Sequence, residues 1–323
     1  MIKLKHIGAL AMSALLLLQG CSQGMSEPIS NTGLYFDTVI KIDIYDSSDR
    51  ELLNQCFAYC EEFENLISRT IETSDISRIN NAAGSSVTVS DTTIELLQKG
   101  IAYGEFTNGK FDITIAPLSE LWDIKNNPGI LPSEDEIQEA LSHVDYKNIH
   151  ISGNEVTLLD PDAAIDLGGI AKGYMADQLK AYLVSEGIES ALINLGGNIL
   201  TIGTKPNGQA FKLGIQKPFD KQGTPITAVD SIDNSLVSSG VYERYFEVDG
   251  VRYHHILNTE TGYPYDNGLL GVSIISPESV DGDALSTACF ALGLEDGMNL
   301  INSLENTEAI FITEDYKLHD TRN

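Results

Sequence analysis

The sequence predicts an α+β fold built from mixed, mostly antiparallel sheets with packed helices. Segments with strand periodicity and segments with helix periodicity alternate irregularly along the 323 residues. Between positions 205 and 257 short strands follow one another at hairpin spacing, with Asp249-Gly250 as a tight-turn signal. A hydrophobic content of 42% is enough for one large core. Because parallel strands need a long crossover between them, closely spaced strands favour antiparallel pairing.

The first two elements are the most regular. In "TVIKIDIYD", Ile40, Ile42 and Ile44 alternate with polar residues, which predicts a half-buried strand. The segment "SDRELLNQCFAYCEEFENLIS" then carries apolar residues at helical spacing behind a Ser48/Asp49 cap. A strand followed by an amphipathic helix therefore opens the folded part of the chain.

The same periodicities predict the remaining elements. Helices are expected over residues 91–106, 133–142, 169–185, 284–292 and 296–303. Strands are expected over 148–151, 155–159, 190–195, 211–216, 245–248, 253–257, 271–276 and 309–313, and the alternation of Phe111, Ile113 and Ile115 is also typical of a strand. Trp122, the only tryptophan, fits either the core or a pocket wall.

The N-terminus has the pattern of an export signal. Lys3 and Lys5 precede an apolar run that ends in "LLLLQGCSQ", with a small residue directly before Cys21. We expect residues 1–20 to form a lipoprotein signal peptide, Cys21 to be lipidated, residues 21–32 to form a tether, and 33–323 to form one domain. Ordinary secretion with cleavage nearby is the alternative. The expected location is the extracytoplasmic face of the cell membrane.

Charge and cysteine content exclude several classes of protein. Without Lys3 and Lys5, 18 basic residues stand against 47 acidic ones, a formal net charge of −29. Such a surface repels nucleic acid, so no nucleic-acid partner is expected, and a phosphate-bearing substrate would need local cations or a metal. Cys56, Cys60 and Cys289 form no disulfide framework and are expected to be buried apolar residues.

Two glycine pairs could bring the backbone close to a ligand. In "IDLGGIAKG", Gly168-Gly169 precede a helix, where amides and carbonyls can meet phosphate or metal, and Lys172 adds a positive charge. Gly196-Gly197 in "INLGGN" follow a buried strand. In both places a plain turn without a ligand is the alternative.

The stretch "VDGDALSTACFALG" places polar residues at the front of an apolar helix. Asp283 and Thr287 are four residues apart, so they share one face if the helix has begun by Asp283. A helix cap accounts for one polar residue and leaves the other unexplained. Hard oxygen ligands of this kind suit Mg²⁺.

Five motifs occur together and in a fixed order: "TNGKFDITIAPLSELW", "IDLGGIAKGYMADQL", "LINLGGNIL", "HHILNTETGYP" and "DALSTACFALG". With the leader and "SDISRIN", this set resembles the ApbE family of bacterial flavin transferases over essentially the whole mature chain. The resemblance implies an ApbE-like, T-fold-like architecture. It also implies a Mg²⁺-dependent enzyme that takes FAD, attaches FMN to a threonine or serine of an exported acceptor protein, and releases AMP. Some members are described as FAD hydrolases.

The resemblance also implies the site residues. The metal set comprises Gly169, Asp283, Ser286 and Thr287. The flavin-nucleotide set comprises Phe36, Thr70, Phe111, Asp112, Thr114, Asp166, Lys172, Gly196, Gly197, Ile256 and Leu257. Asp112 and Thr114 would lie on the opposite face of the expected strand, where the resemblance implies nucleotide contacts. Thr70 stands where some relatives carry a flavin-stacking tyrosine, and Thr259 where proline is common, which predicts a looser turn.

The base that activates the acceptor hydroxyl is expected to be a histidine, because its pKa lies near neutrality. Leader, surface and tail positions account for four of the six histidines and leave His254 and His255. Neighbours on a strand face opposite sides. The family pattern selects His255 as catalytic and makes His254 a surface residue. Two rival functions stay open: a flavin-binding lipoprotein without catalysis, and a solute-binding lipoprotein of a transporter.

Overall fold

The computed structural model describes residues 27–322. Its α-helices are α1 Glu51–Ile67, α2 Asp75–Asn80, α3 Asp91–Phe106, α4 Ala116–Trp122, α5 Glu134–Ser142, α6 Ala171–Ser185, α7 Ser279–Leu292 and α8 Leu294–Asn302. Its strands are β1 Ile29–Tyr35, β2 Thr38–Ile44, β3 Val87–Thr88, β4 Ile149–Ser152, β5 Glu155–Leu158, β6 Ser190–Leu195, β7 Asn198–Gly203, β8 Phe211–Gln216, β9 Pro225–Ser231, β10 Ser235–Gly240, β11 Tyr245–Val248, β12 Val251–His254, β13 Leu269–Ser276, β14 Glu308–Thr313 and β15 Leu318–Asp320.

One eight-stranded antiparallel sheet organises the chain. Its strand order is β1-β2-β6-β7-β10-β13-β14-β15. Smaller sheets pair β8 with β9, β11 with β12, and β5 with both β3 and β4. The expected α+β architecture with mostly antiparallel sheets is confirmed. Among the described helices, none is both long and apolar enough to cross a membrane.

Local signals set most of the boundaries. The Ser90 side chain accepts the Thr93 amide and starts α3, and Ser133 with Glu136 forms a reciprocal capping box at the start of α5. Arg50 is the N-cap of α1, although the expected Asp49 still accepts the Glu51 amide at 2.9 Å. These helices therefore begin within two residues of the positions that the sequence predicts.

Helices α6 and α7 cross closely beside the sheet. A Cβ atom at Gly173 would lie 2.3 Å from the carbonyl oxygen of Ser279, so only glycine permits this approach. Asp177 of α6 accepts the amides of Ser279 and Val280, each at 2.8 Å, and thus caps the first turn of α7 from outside that helix. Burial raises the pKa of Asp177 to about 7.

The core residues follow the expected periodicities. Ile40, Ile42 and Ile44 are fully buried, as the alternation in the first strand predicts. All three described cysteines are buried and unpaired, and burial raises the pKa of each thiol to about 12. Trp122 is a core residue that is 1% exposed and donates Nε1–H to the carbonyl of Gly262 at 2.8 Å.

Several boundaries differ from expectation. The segment around Phe111–Ile115 is an irregular loop that touches a second segment through one parallel bridge, Ile115 to Ala164, because tertiary contacts replace sheet pairing there. Helix α7 starts at Ser279, so Asp283 lies a full turn inside it and is no cap. Strand β1 begins at Ile29, which shortens the expected 21–32 tether. The signal peptide and Cys21 lie outside the described residues.

Candidate active site

The α6–α7 crossing brings two of the predicted motifs together. The Gly173 amide donates to Oδ2 of Asp283 at 2.9 Å, and Lys172 Nζ lies 3.8 Å from Oδ1 of the same carboxylate. Lys172 Nζ also donates to the Gly168 carbonyl at 3.0 Å. Asp283 is only 5% exposed, and these two partners compensate the cost of burying its negative charge. The "GGIAKG" and "DALST" segments thus form one polar site.

Thr287 lies on the same side of α7 as Asp283. A Cβ atom on Gly169 would lie 3.9 Å from Thr287 Oγ1, which places the Gly169 backbone beside the threonine hydroxyl. Ser239 Oγ bridges the two α7 hydroxyls, 2.7 Å from Ser286 Oγ and 3.4 Å from Thr287 Oγ1. Ser286 is fully buried, whereas Thr287 is half-buried. The Asp283 carboxylate, the hydroxyls of Ser286 and Thr287 and the Gly169 backbone therefore lie close together on one side of α7.

His255 follows β12 and is half-buried. Its Nδ1 lies 3.3 Å from the Arg244 carbonyl, and its own amide donates to the same oxygen at 3.2 Å. A carbonyl only accepts, so Nδ1 carries the proton and Nε2 is the basic nitrogen. Burial, with Arg244, His254 and Lys172 adding positive potential, lowers the pKa of His255 to about 3. The imidazole is therefore neutral at physiological pH.

His254 is a structural residue, which corrects the expectation of a surface position. It is 4% exposed, its Nε2 lies 2.8 Å from the Tyr265 carbonyl, and its Nδ1 accepts the Ile256 amide at 3.2 Å. Burial lowers the pKa of His254. The His254 ring therefore fixes the segment that follows β12. Because neighbouring side chains on a strand point to opposite faces, the His255 side chain lies on the other face of the hairpin.

Two residues that sequence reasoning missed lie near His255. Glu243 and Arg244 precede β11, and both residues keep exposed surface although the surrounding protein desolvates the Glu243 carboxyl group. Desolvation raises the pKa of Glu243 to about 7, while Lys172 and Arg244 oppose the shift and Asp283 adds to it. The adjacent "YER" charges were a signal in the sequence, but nothing there showed that Lys172 and Asp283 approach them.

The first part of the predicted flavin set lies around the glycine pair. A Cβ atom on Gly169 would lie 3.1 Å from the Phe111 ring, so this ring packs beside the glycine. Asp166 accepts the Gly168 amide through Oδ1 at 2.8 Å, and its Oδ2 pairs with Arg69 Nε at 3.2 Å. Phe111, Asp166 and Lys172 therefore adjoin the same loop.

A second part of the predicted flavin set makes hydrogen bonds inside the fold instead of facing a ligand. Oδ1 of Asp112 accepts both the amide and the hydroxyl of Thr114, and Oδ2 accepts the Tyr146 amide at 2.9 Å. Both side chains are buried in a loop, so the expected strand face for nucleotide contacts does not form. Ile256 and Leu257 are 4% and 7% exposed, which leaves mainly their backbone for a ligand.

The third part belongs to two hairpin turns. Phe36 and Asp37 have φ of 53° and 58° and form the turn between β1 and β2. Gly196 and Gly197 form the turn between β6 and β7, and a Cβ atom on Gly196 would lie 2.2 Å from Thr38 Oγ1. The two turns thus touch. The Phe36 ring packs edge-on against Phe63, with the ring centres 5.8 Å apart.

The two departures from the family pattern have different consequences. Thr70 is exposed, hydrogen-bonded to Ser68, and offers no ring. Its neighbour Arg69 instead bridges Asp166 and Glu120. Thr259 donates its hydroxyl to the Gly109 carbonyl at 2.8 Å, a bond that proline cannot make. This side chain therefore ties the turn to the loop after α3, contrary to the looser turn that the sequence predicts.

A second polar cluster lies elsewhere in the described chain. His143 at the end of α5 pairs with Asp160 at 2.8 Å, and one ligand atom from each of His143, Asp160 and Asp162 lies within 4.8 Å of the others. None of these residues belongs to the motifs that form the Asp283 site. The cluster is a surface feature in which Asp160 raises the pKa of His143.

The fold is an α+β architecture in which Asp283, Thr287 and the Gly168-Gly169 loop meet at the α6–α7 crossing, and His255 follows β12. The sequence model of the ApbE family matches residues 36–311. The chain belongs to the ApbE family.

Individual relatives agree with this assignment. The chain is 36% identical to a FAD:protein FMN transferase of Klebsiella pneumoniae over 88% of this chain and 89% of the relative, and 32% identical to that of Treponema pallidum over 90% and 85%. A crystal structure of the ApbE protein of Thermotoga maritima superposes with a TM-score of 0.84, at 30% identity over 91% of this chain and 97% of that chain. For the flavin transferase ApbE of Vibrio cholerae the TM-score is 0.80, at 26% identity over 91% and 97%.

Proposed function

We propose that this protein transfers FMN from FAD to a threonine or serine hydroxyl of an exported acceptor protein and releases AMP. The acceptor oxygen forms a bond to the phosphorus of the FMN half, the pyrophosphate P–O bond to the AMP half breaks, and the hydroxyl proton is taken up by a base. Relatives of similar length that bear this name support the reaction. The single structural observation behind it is the grouping of Gly169, Lys172, Asp283 and Thr287 at the α6–α7 crossing.

His255 is assigned as the general base. Its Nδ1–H donates to the Arg244 carbonyl, which fixes the tautomer and leaves Nε2 free of a proton. The lowered pKa keeps the ring unprotonated at neutral pH, so the Nε2 lone pair is available for a proton, but it also makes the ring a weaker base than the near-neutral histidine that the sequence predicts. The same desolvation disfavours the charged imidazolium, so the proton would pass on from Nε2 once it is accepted.

The oxygen set fits Mg²⁺. Asp283 would supply the carboxylate, Thr287 the hydroxyl and Gly169 its carbonyl, while Ser286 is fully buried and serves better to orient Ser239. The bound ion would neutralise charge on the pyrophosphate. Lys172, fixed between the Gly168 carbonyl and Asp283, supplies a further positive charge without moving from its place.

The flavin nucleotide is assigned to the space next to the Gly168-Gly169 loop. The Phe111 ring beside Gly169 offers an apolar surface, and Asp166 is held by the Gly168 amide and Arg69. The turns that carry Phe36 and Gly196-Gly197 adjoin each other and would close one side. Ile256 and Leu257 contribute backbone groups, and Asp112 with Thr114 shapes the loop from within.

We further propose that Cys21 carries a lipid and anchors the enzyme on the outer face of the membrane. The leader with its Gly-Cys ending motivates this location. Strand β1 begins at Ile29, so the tether between the lipid and the folded chain would be seven residues, 22–28. The lipid, rather than the acidic protein surface, would supply the affinity for the membrane.

One assay separates the candidate reactions. Purified mature protein is incubated with FAD, Mg²⁺ and a candidate acceptor, and the products are separated by denaturing electrophoresis and chromatography. Transfer gives AMP and a covalently fluorescent acceptor. A FAD pyrophosphatase gives AMP and free FMN, and a non-catalytic flavin-binding protein gives neither product. Absence of covalent flavin with every acceptor that carries an exposed threonine would contradict the proposal.

A further inference from the structure

Exposed apolar side chains lie beside the hairpin that leads to His255. In the loop after α4, Ile130 is 68% exposed and Leu131 is 42% exposed, and Val251 at the start of β12 is 53% exposed. A Cβ atom on Gly129 would lie 3.6 Å from Val248 Cγ2, so the loop rests against this hairpin. We call Ile130, Leu131, Val248 and Val251 the apolar rim.

The apolar rim and the catalytic histidine share one face of the hairpin. Val248 pairs with Val251, and Phe246 pairs with Tyr253. The bond from the His255 amide to the Arg244 carbonyl continues this pairing beyond β12. Because side chains alternate along a strand, Val251, Tyr253 and His255 project to the same side, with about 13 Å between the first and the last at 3.3 Å per residue.

The space between the rim and the histidine is also apolar. The Tyr253 ring stacks on Phe246 and on Trp122, with ring centres 5.4 Å and 5.5 Å apart. Phe246 and Tyr253 are cross-strand neighbours on this face, and the buried Trp122 ring packs against the other side of Tyr253. A segment of extended chain that lay on this face would therefore meet apolar or aromatic surface along its length.

The exposure of Ile130 is built into the fold. Asn127 Oδ1 accepts the amides of Gly129 and Ile130 at 2.8 and 2.7 Å, and its Nδ2 donates to the carbonyls of Trp122 and Ile130, each at 2.9 Å. Four hydrogen bonds thus fix the loop in a conformation that presents an isoleucine to solvent. Preorganised apolar groups of this kind bind a partner at low entropic cost.

The charge of the loop differs from that of the chain. Residues 124–132 contain one lysine and no carboxylate, whereas the whole chain has a formal net charge of −27. That lysine, Lys125, pairs with Asp37 at 3.0 Å. The loop half of the rim therefore adds no negative charge, and the exposed Asp249 between Val248 and Val251 is the acidic group of the hairpin turn.

We propose that the apolar rim is the docking surface for the acceptor polypeptide, which lies extended along the hairpin face with apolar side chains on the rim and its threonine or serine hydroxyl at His255. The inference rests on the proposed transfer reaction, which requires a polypeptide to reach that histidine. The rim offers only four side chains, which suits a short segment better than a dimer interface of roughly 800 Å² per partner.

The test compares Val251→Asp with Val184→Asp. Val184 lies on α6 and is 50% exposed, so it matches Val251 in residue type and exposure but lies outside the rim. The kcat/KM for an acceptor protein is measured by covalent flavin fluorescence, and FAD affinity is measured by flavin fluorescence quenching. We expect Val251→Asp and Ile130→Asp each to lower kcat/KM for the acceptor about tenfold or more, with wild-type FAD affinity, and Val184→Asp to change neither quantity.

Three results would overturn the docking proposal. The first is wild-type kcat/KM in both rim variants, and the second is an equal loss in Val184→Asp. The third is a wild-type dimer in sedimentation experiments that becomes monomeric in the rim variants, which would assign the rim to a second copy. A wild-type enzyme that transfers no flavin to any acceptor would instead overturn the proposed function, so the two failures are distinguishable.

Discussion

The amide of Gly173 in α6 donates a hydrogen bond to Oδ2 of Asp283 in α7 at 2.9 Å. The bond uses one carboxylate oxygen and turns the other, Oδ1, toward Lys172 at 3.8 Å. An amide that is free to donate outside its helix exists here because Gly173 lies in the first turn of α6. The first turn of α6 thus orients the Asp283 carboxylate on α7.

Replacing Asp283 tests the metal site. Asp283→Ala removes the charged oxygen ligand, so we expect Mg²⁺-dependent AMP release to fall by about 100-fold or more, with a smaller loss for Thr287→Ala because water can replace a neutral hydroxyl. The measurement is AMP release against Mg²⁺ concentration. Retention of FAD binding by fluorescence is the control for folding. Wild-type activity of the Asp283 variant at limiting Mg²⁺ would exclude this site.

Gly173→Ala tests the helix crossing. The new methyl group would lie 2.3 Å from the Ser279 carbonyl oxygen, so α6 and α7 must separate and the bond to Asp283 must lengthen. We expect a loss of about 1–3 kcal/mol in the free energy of unfolding, and a higher Mg²⁺ requirement. Ser185→Ala at the exposed end of α6 is the control. An unchanged melting temperature and Mg²⁺ dependence would show that the crossing tolerates a side chain.

Substitution of the two adjacent histidines is expected to have different effects, on transfer for one and on stability for the other. His255→Ala removes the base and should lower transfer by about 10²- to 10⁴-fold while FAD binding and the melting temperature stay close to wild type. His254→Ala leaves the Tyr265 carbonyl and the Ile256 amide without their partner, so we expect about 1–3 kcal/mol of lost stability. Thermal unfolding and transfer rates on both variants decide the assignment. Normal transfer by His255→Ala would refute it.

Thr259 provides a test of the turn that follows the catalytic histidine. Thr259→Val keeps the shape of the side chain but loses the hydroxyl bond to the Gly109 carbonyl. We expect a loss of about 0.5–1.5 kcal/mol in unfolding free energy, whereas Thr259→Ser should retain most of it. Chemical denaturation measures both values. Equal stability of the Val and Ser variants would mean that the bond contributes nothing.

Cys21→Ala tests the proposed anchor. Without the cysteine no lipid can be attached, so we expect the protein to move from the membrane fraction to the soluble fraction after osmotic lysis. The folded domain should keep its flavin transferase activity because β1 and the site lie beyond the tether. Membrane retention of the variant with a normally cleaved leader would argue against lipidation at this position.

Much of the fold could be read from local patterns. The alternation of Ile40, Ile42 and Ile44 identified β2, and helical spacing identified α3 and α5 to within one residue. These signals work because burial and capping act over a few residues. The alternation of Phe111, Ile113 and Ile115 wrongly predicted a strand. These three side chains pack from a loop, which has no neighbouring strand with which to form a ladder.

The residues of the candidate site likewise fall into some that the sequence predicted correctly and some that it did not. Resemblance in motif order selected His255, Asp283 and Thr287, but it also placed His254 on the surface, where the ring instead binds backbone groups inside the fold. The adjacent charges of Glu243 and Arg244 are visible in the sequence, but their proximity to Lys172 and Asp283 is not, because those residues are more than thirty positions away along the chain. Long-range proximity of this kind is set by packing alone.

The sequence by itself determined the α+β class, the family, and the residue types that phosphoryl transfer needs, since each is encoded in short stretches with their own periodicity or order. Only the tertiary structure decided which of those residues meet. The Gly173 amide reaches Asp283 because two helices cross where a side chain would collide, and His255 rather than His254 is accessible because strand alternation turns one ring inward. Contacts between distant segments depend on how the whole core packs, and no local stretch of sequence contains that information.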